Sequence, residues 1–363
     1  MHQIKKSLTK PTLYWLLPFI LITFGYNYFY PQKTVIIFFC ACSAIIPLAA
    51  LLSKATDSIA AKVGSVIGGF LNATFGNATE LIIAIVALSS GQIELVKATI
   101  TGSIIGNILL VLGLSFFAGG IKNKLQHFNQ LGSESLSAGL SISIVSLIIP
   151  AAYVKFSAGT TNVQYNALLS YTISAVLLII YILFLYFSLF THRNLIADEQ
   201  TEVHPQSESD TWSLPLAIFM LFIAAGLIAF MSEILVHHVE HAANSLGISM
   251  AFIGIIIIAM VSNAAEHSTA IIMALKNKMD ISINIAIGSS TQIALFLVPL
   301  LVLLSGFFPH PMDLIFSNGE ILLIVLSTFI LTQVVTMGVT TWYKGVQLLG
   351  TYTIIAIALY FVH

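Results

Sequence analysis

Two glutamates each lie midway along an apolar stretch, and each follows an asparagine at the same spacing. Glu80 closes Gly76-Asn77-Ala78-Thr79-Glu80, and Glu266 closes Ser262-Asn263-Ala264-Ala265-Glu266, at an offset of 186 positions. Two carboxylates, the amide oxygens of Asn77 and Asn263, backbone carbonyls freed at a break in each helix, and water make an all-oxygen ligand set. Such a set suits Ca2+, which accepts six to eight oxygens in flexible geometry, better than Zn2+ or Cu+. Ser103 and Asn107 after the first motif, and Ser289 and Gln292 after the second, are the natural further ligands or orienters. Ser103 and Ser289 each follow their glutamate by 23 positions. The same carboxylates can also carry protons, because desolvation favours the neutral acid and a bound divalent cation favours the carboxylate. Ca2+ and protons are therefore expected to compete for one site. His267 follows Glu266, but its repeat mate is Leu81, so it is a third titrating group or a gate in one half only.

The surrounding chain must place these groups inside a membrane. Of 363 residues, 58% are hydrophobic and 8% are charged, against roughly 25% charged in soluble domains. About 20 apolar residues span the hydrocarbon. That rule predicts eleven crossings near 13–30, 34–53, 65–89, 95–118, 135–154, 165–190, 213–236, 248–275, 282–306, 318–340 and 346–362. The first run has lysines ahead of it but no small-residue cleavage site behind it, so it reads as a retained helix rather than a signal peptide. Cys40 and Cys42 read as packing residues, since two thiols on one helical stretch suit neither a disulfide nor a zinc cage. With the N-terminus in the cytoplasm, Lys5, Lys6, Lys10, Lys54, Lys62, Lys122, Lys124, Arg193, Lys276, Lys278 and Lys344 fall inside, eleven of the 14 basic residues. Only Lys33, Lys97 and Lys155 fall outside, which is the bias the positive-inside rule expects. A net charge near zero points to no nucleic-acid partner.

The 186-residue offset also superposes Gly102-Ser103 on Gly288-Ser289, while Asp57 and Gly64 match Glu240 and Gly247 at 183. The second copy lies five crossings after the first, an odd number that reverses it, so the expected fold is an all-α integral membrane protein with one helix plus two inverted five-helix repeats. The expected divisions are 1–33 (N-terminal segment and first helix), 34–190 (first repeat), 191–212 (acidic cytoplasmic linker) and 213–363 (second repeat). A charge at the bilayer centre costs at least about 2.5 kcal/mol and needs a partner or water. Small residues around each glutamate let backbones approach and the helix break. The Ca2+-loaded and protonated forms are each nearly neutral, whereas two bare carboxylates would resist reorientation. That difference would couple the two fluxes as one bundle rocks against the rest.

Glu233 and Glu240, with His237, His238 and His241, form a second polar concentration. It reads as a solvated helix end, or as a metal-gathering vestibule with Asp57 at the mirrored mouth. The linker reads as a solvated acidic segment or a Ca2+ sensor. Glycine-rich stretches lack a Lys-Ser or Lys-Thr ending, so no phosphate loop is expected.

The run LNATFGNATELI (71–82) resembles the first repeat motif of the cation/proton exchangers within the calcium/cation antiporter superfamily. SNAAEHSTAIIMALKNKMDISINIAIGSSTQIALFLVP (262–299) resembles the second. The resemblance implies Ca2+/H+ exchange by a transporter, not an enzyme, with no cofactor beyond the transported ions. It places both glutamates at the centre and Asn77, Asn263, Ser103, Ser289, Gln292 and His267 on the path. Thr79 stands where a small apolar residue is common in that family. Sodium/calcium exchangers share the repeat but carry Thr-Ser and Pro near the glutamate, so a Na+-coupled or other divalent cation exchanger is the alternative. The expected setting is a bacterial inner membrane, with the lipid bilayer as surroundings and the chain acting as a monomer or homo-oligomer.

Overall fold

The computed structural model describes residues 13–156, 163–191 and 211–361. Most of the acidic linker, with Arg193 and the lysines at 5, 6 and 10, lies outside them. A 3-10 turn, Leu13–Leu16, leads into α1 (Pro18–Phe29). The first repeat follows as α2 (Thr34–Ala60), the pair α3 (Ser65–Phe75) and α4 (Ala78–Ser89), α5 (Ile93–Asn123), α6 (Gln130–Phe156) and α7 (Val163–Tyr186). The second repeat is α8 (Leu214–Leu246), the pair α9 (Met250–Ser262) and α10 (Ala264–Leu275), α11 (Met279–Ser305), α12 (Asn318–Val335) and α13 (Trp342–Phe361).

Eight of these helices are long and apolar enough to cross a membrane, and the two bent pairs raise the number to ten. The eleventh expected crossing is the apolar stretch Leu13–Phe29; at about 1.5 Å per residue it reaches about 26 Å, short of the roughly 30 Å hydrocarbon. Two helices outrun their expected bounds. α2 continues to Ala60 and so carries Asp57, and α8 runs for 33 residues and so carries Glu240 and the histidines within regular helix. α8 stops where Gly247 takes a left-handed φ of 65°, a conformation glycine adopts at no steric cost. One small departure from all-α is an antiparallel pair, β1 (Gln126–His127) with β2 (Val339–Thr340).

The opening helices of the two halves, α2 and α8, form the most extensive helix contact. α5 packs its first half on α9 and its second half on α10 and α13, so each repeat threads into the other. The core they enclose includes Ile37, Ile45, Leu48, Ile104, Ile108, Ile228, Leu235, Ile253 and Leu301. On one face, Lys122 Nζ donates to the Leu275 carbonyl, and Gln126 Nε2 donates to the Ala274 carbonyl and to Asn277 Oδ1. These bonds cap the end of α10 with the end of α5. On the opposite face, Lys97 Nζ pairs with Asp313 Oδ1 at 2.5 Å and donates to the Ile315 carbonyl.

Cys40 and Cys42 are free and buried, in keeping with packing roles. Neither thiol should react with a membrane-permeant maleimide in native membranes, while both should label after denaturation in SDS. Labelling of the native protein would contradict this packing of α2.

Candidate functional site

Each bent pair breaks at its asparagine. The α3–α4 pair bends by 42° and the α9–α10 pair by 63°, and no proline is present at either break. Asn77 takes φ −97°, ψ 29° and Asn263 takes φ −95°, ψ 6°, nearly the same non-helical geometry at mirrored positions. Asparagine commonly caps a helix start through its own side chain. Here neither does so, and both amides reach into the opposite repeat. Asn263 Nδ2 donates to Ser103 Oγ at 3.0 Å, and Ser289 Oγ donates to Asn77 Oδ1 at 2.7 Å. The two residue pairs match under the 186-residue offset, with the donor reversed: Asn263 donates and Asn77 accepts. Small side chains at 78, 264 and 265 leave room for this crossing of backbones.

The glutamates lie in the first turns of α4 and α10, where exposed N–H groups and the helix dipole favour negative charge. The preceding half-helices, α3 and α9, point their carbonyl ends at the same breaks. Glu80 is buried and Glu266 is partly buried. The Ser262 side chain lies against Glu80 and the Ser289 side chain against Glu266, and Glu266 also feels the charges of Glu80 and Asp57. Three acceptors here are buried without a hydrogen-bond partner: Glu80 Oε1, Glu266 Oε2 and Asn263 Oδ1. A buried unsatisfied polar atom costs about 1–3 kcal/mol, more if charged, and these three lie at the two breaks, where a cation or protons could satisfy them.

The halves use their amides differently. Asn263 spends its Nδ2 on Ser103 and the Ala259 carbonyl, which leaves Oδ1 free. Asn77 has its Oδ1 engaged by Ser289 and donates its Nδ2 to Gln292 Oε1 at 2.9 Å. Gln292 is therefore an orienter of Asn77. Asn107 is buried with an unpartnered Nδ2, and His267, the residue after Glu266, has a buried, unpartnered Nε2. Asp57 stands exposed near the end of α2, on the face of the Lys122–Leu275 bond. Glu233 and Glu240 are exposed on α8 with His237 and His241. Among the described residues no group of three or more His, Cys, Asp or Glu is arranged to hold a metal ion.

The packing is closed on one side of the site and loose on the other. A Cβ on Gly102 would fall 2.2 Å from the Ile255 carbonyl oxygen, whereas a Cβ on its mate Gly288 would meet nothing within 4 Å. α9 is locked against α5, while its mate α3 exposes Ile67 and Phe70. A void with room for about one water lies beside Glu80, lined by Val96, Thr99, Ile100, Ser103, Ile293 and Leu297. Ser262 was missed as a neighbour of Glu80 in reading the sequence, although its place as the mate of Gly76 made it visible as an asymmetry. Tyr181, treated below, carried no sequence signal.

An inverted pair of broken helices whose carboxylates meet at the breaks defines a secondary ion transporter. Comparison with known proteins narrows this. The chain matches the sodium/calcium exchanger protein family over residues 33–190 and 216–361 and belongs to that family. It is 43% identical over 329 residues, 90% of this chain and 92% of the relative, to the Ca2+/H+ antiporter ChaA of Bacillus subtilis. It is 39% identical over 338 residues to the Ca2+/H+ antiporter of Synechocystis, covering 90% of this chain and 91% of that one. Among solved structures, native YfkE superposes with a TM-score of 0.82 at 37% identity, covering 97% of this chain and 100% of that chain. The sodium-calcium exchanger NCX_Mj, at 20% identity, covers 86% of this chain and 94% of that one with a TM-score of 0.51, a likeness of fold alone.

The unequal amides give a prediction. Asn263→Ala removes a free acceptor oxygen and should weaken Ca2+ binding at least about tenfold, whereas Asn77→Ala, whose oxygen is already engaged, should weaken it less. Calorimetric titration of purified variants measures both, and the reverse order would contradict the assignment.

Proposed function

We propose that this chain is a secondary active antiporter that moves Ca2+ in exchange for protons, both ions competing at the Glu80/Glu266 pair. The observation that carries this reading is the convergence of unpartnered Glu80, Glu266 and Asn263 oxygens at the two helix breaks. Bound Ca2+ would take those carboxylates, the Asn263 amide oxygen and carbonyls freed at the breaks. Ser103, Ser289, Asn77 and Gln292 hold the amides in position, and His267 borders the pair as a proton-handling group. In the absence of Ca2+ the same carboxyls take up protons. The names of the Bacillus and Synechocystis relatives, Ca2+/H+ antiporters, support the choice of ions. The chain is then a transporter and not an enzyme, and it needs no cofactor beyond the ions it carries.

Charge couples the two fluxes. Ca2+-loaded or protonated, the pair is nearly neutral and the bundle can rearrange; bare, it carries two negative charges in a low-dielectric setting and the rearrangement is blocked. The loose packing at Gly288 and the exposed side chains of α3 support a path toward the Asp57 face. The distribution of lysines supports that face being cytoplasmic, with the N-terminus on the same side and the chain seated in a bacterial inner membrane. Residues 34–190 and 213–363 serve as the two moving repeats, 1–33 precedes them, and 191–212 joins them in the cytoplasm. One chain supplies both halves of the proposed site, and it acts as a monomer or homo-oligomer.

The competing reading is sodium-coupled exchange, which the same inverted-repeat architecture could carry. Uptake of 45Ca2+ into proteoliposomes under an imposed pH gradient in Na+-free buffer separates them. Uptake should follow the gradient, collapse with a protonophore, and be lost in Glu80→Gln and Glu266→Gln; uptake driven by Na+ and indifferent to pH would overturn the proposal. A second expectation follows from the mirrored glycines. If the opposite state closes Gly288 as this one closes Gly102, then Gly288→Leu should fold and bind Ca2+ yet lose nearly all exchange. Wild-type exchange in that variant would contradict the mirror-image cycle.

A further inference from the structure

The first break frees a carbonyl that the second does not. In an unbroken helix the Ala73 carbonyl would accept from the Asn77 N–H; at the mirrored position the Asn263 N–H still reaches the Ala259 carbonyl at 3.4 Å. Asn77 makes no such bond, and the Ala73 carbonyl instead accepts from the Tyr181 hydroxyl at 2.8 Å. Ala259 has no counterpart of this phenol, since its carbonyl accepts from Asn263 Nδ2 and Ser262 Oγ within its own segment.

Tyr181 is 3% exposed on α7 and reaches three elements together. Its hydroxyl holds the carbonyl end of α3. Its ring stacks on Phe296, with centroids 5.0 Å apart and planes 24° from parallel. Phe296 lies in the π-helical turn Ile293–Leu297 of α11, which directly follows Gln292, the partner of Asn77. The remainder of α3 is held mainly by α2 and by the turn Phe187–Thr191 that extends α7. Tyr181 thus ties the loosest half-helix to the helix that carries Ser289 and Gln292.

A carbonyl that accepts a phenol hydrogen has less electron density to offer a cation, and that hydrogen would face the incoming charge. We propose that Tyr181 is a positioning residue of the transport cycle. It occupies the Ala73 carbonyl while the site is free of Ca2+, and the cation must displace it to complete its oxygen shell. This rests on the reading of the breaks as the Ca2+ site. Displacement would release α3 from α7, so cation binding and the movement of α3 become one event.

Tyr181→Phe keeps the ring and its stacking but abolishes the bond. Removing one competing hydrogen bond should tighten Ca2+ binding roughly 2- to 10-fold, measured by calorimetry on the purified full-length protein, with a matching fall in the KM for Ca2+ and no rise in maximal exchange rate. A purely structural role predicts weaker binding and slower exchange together. As a near-isosteric second probe, 3-fluorotyrosine placed at position 181 makes a stronger donor and should weaken binding. Unchanged or weaker affinity in Tyr181→Phe, or tighter binding with 3-fluorotyrosine, would overturn the inference while leaving the site intact. Absence of Ca2+ binding in the wild type, or undiminished binding in Glu80→Gln, would instead bring down the site reading beneath it.

Discussion

Two carboxyl groups inside an apolar bundle must share the surroundings with something positive or give up their charge, and the architecture around Glu80 and Glu266 follows from that requirement. Breaking each helix beside its glutamate exposes N–H groups that favour the carboxylate and turns carbonyls toward the space a cation would fill. The break in turn needs residues that tolerate non-helical backbone and partners for the freed polar groups. Asn77 and Asn263 meet the first need, and Ser103, Ser289 and Gln292 meet much of the second from across the repeat boundary. Among the atoms left unpaired are Glu80 Oε1, Glu266 Oε2 and Asn263 Oδ1, oxygens that a cation or proton can satisfy.

Duplication explains how one chain can offer such a site to two faces in turn. The pairs Asn263–Ser103 and Asn77–Ser289 match across the repeats, while the use of their atoms and the packing around them depart from symmetry. Gly102 is pressed on Ile255 and Gly288 is free; Asn263 offers its oxygen and Asn77 does not; α9 is locked and α3 is loose. Exchanging the two conformations between the repeats would generate the opposite state with no new kind of contact. The Lys97–Asp313 pair and the Lys122–Leu275 cap sit at opposite faces, where such an exchange must make and break polar links.

Much of this was legible in the sequence because the membrane simplifies the code. Charge is so costly in the hydrocarbon that Glu80 and Glu266 announce themselves, and a repeat with an odd number of crossings fixes its own inversion. The paired roles of Ser103 and Ser289 followed from their equal spacing to the glutamates. Less was legible where packing decides. The continuation of α2 and α8 past the expected hydrophobic limits depends on their contact with each other, and hydropathy alone ends both helices early. The inequality of Asn77 and Asn263 belongs to one conformation and leaves no trace in near-identical motifs. Tyr181 is one aromatic among many on an apolar helix, and its place at the Ala73 carbonyl comes only from the approach of α3 to α7.

The central claim, that Ca2+ and protons compete for the same pair of carboxyls, is tested most directly by adding Ca2+ to the purified protein in weakly buffered solution and recording released protons. The account predicts acidification that saturates with Ca2+ binding and shrinks when either Glu80 or Glu266 is replaced by glutamine. Saturable Ca2+ binding with no proton release, across the pH range in which exchange operates, would contradict it.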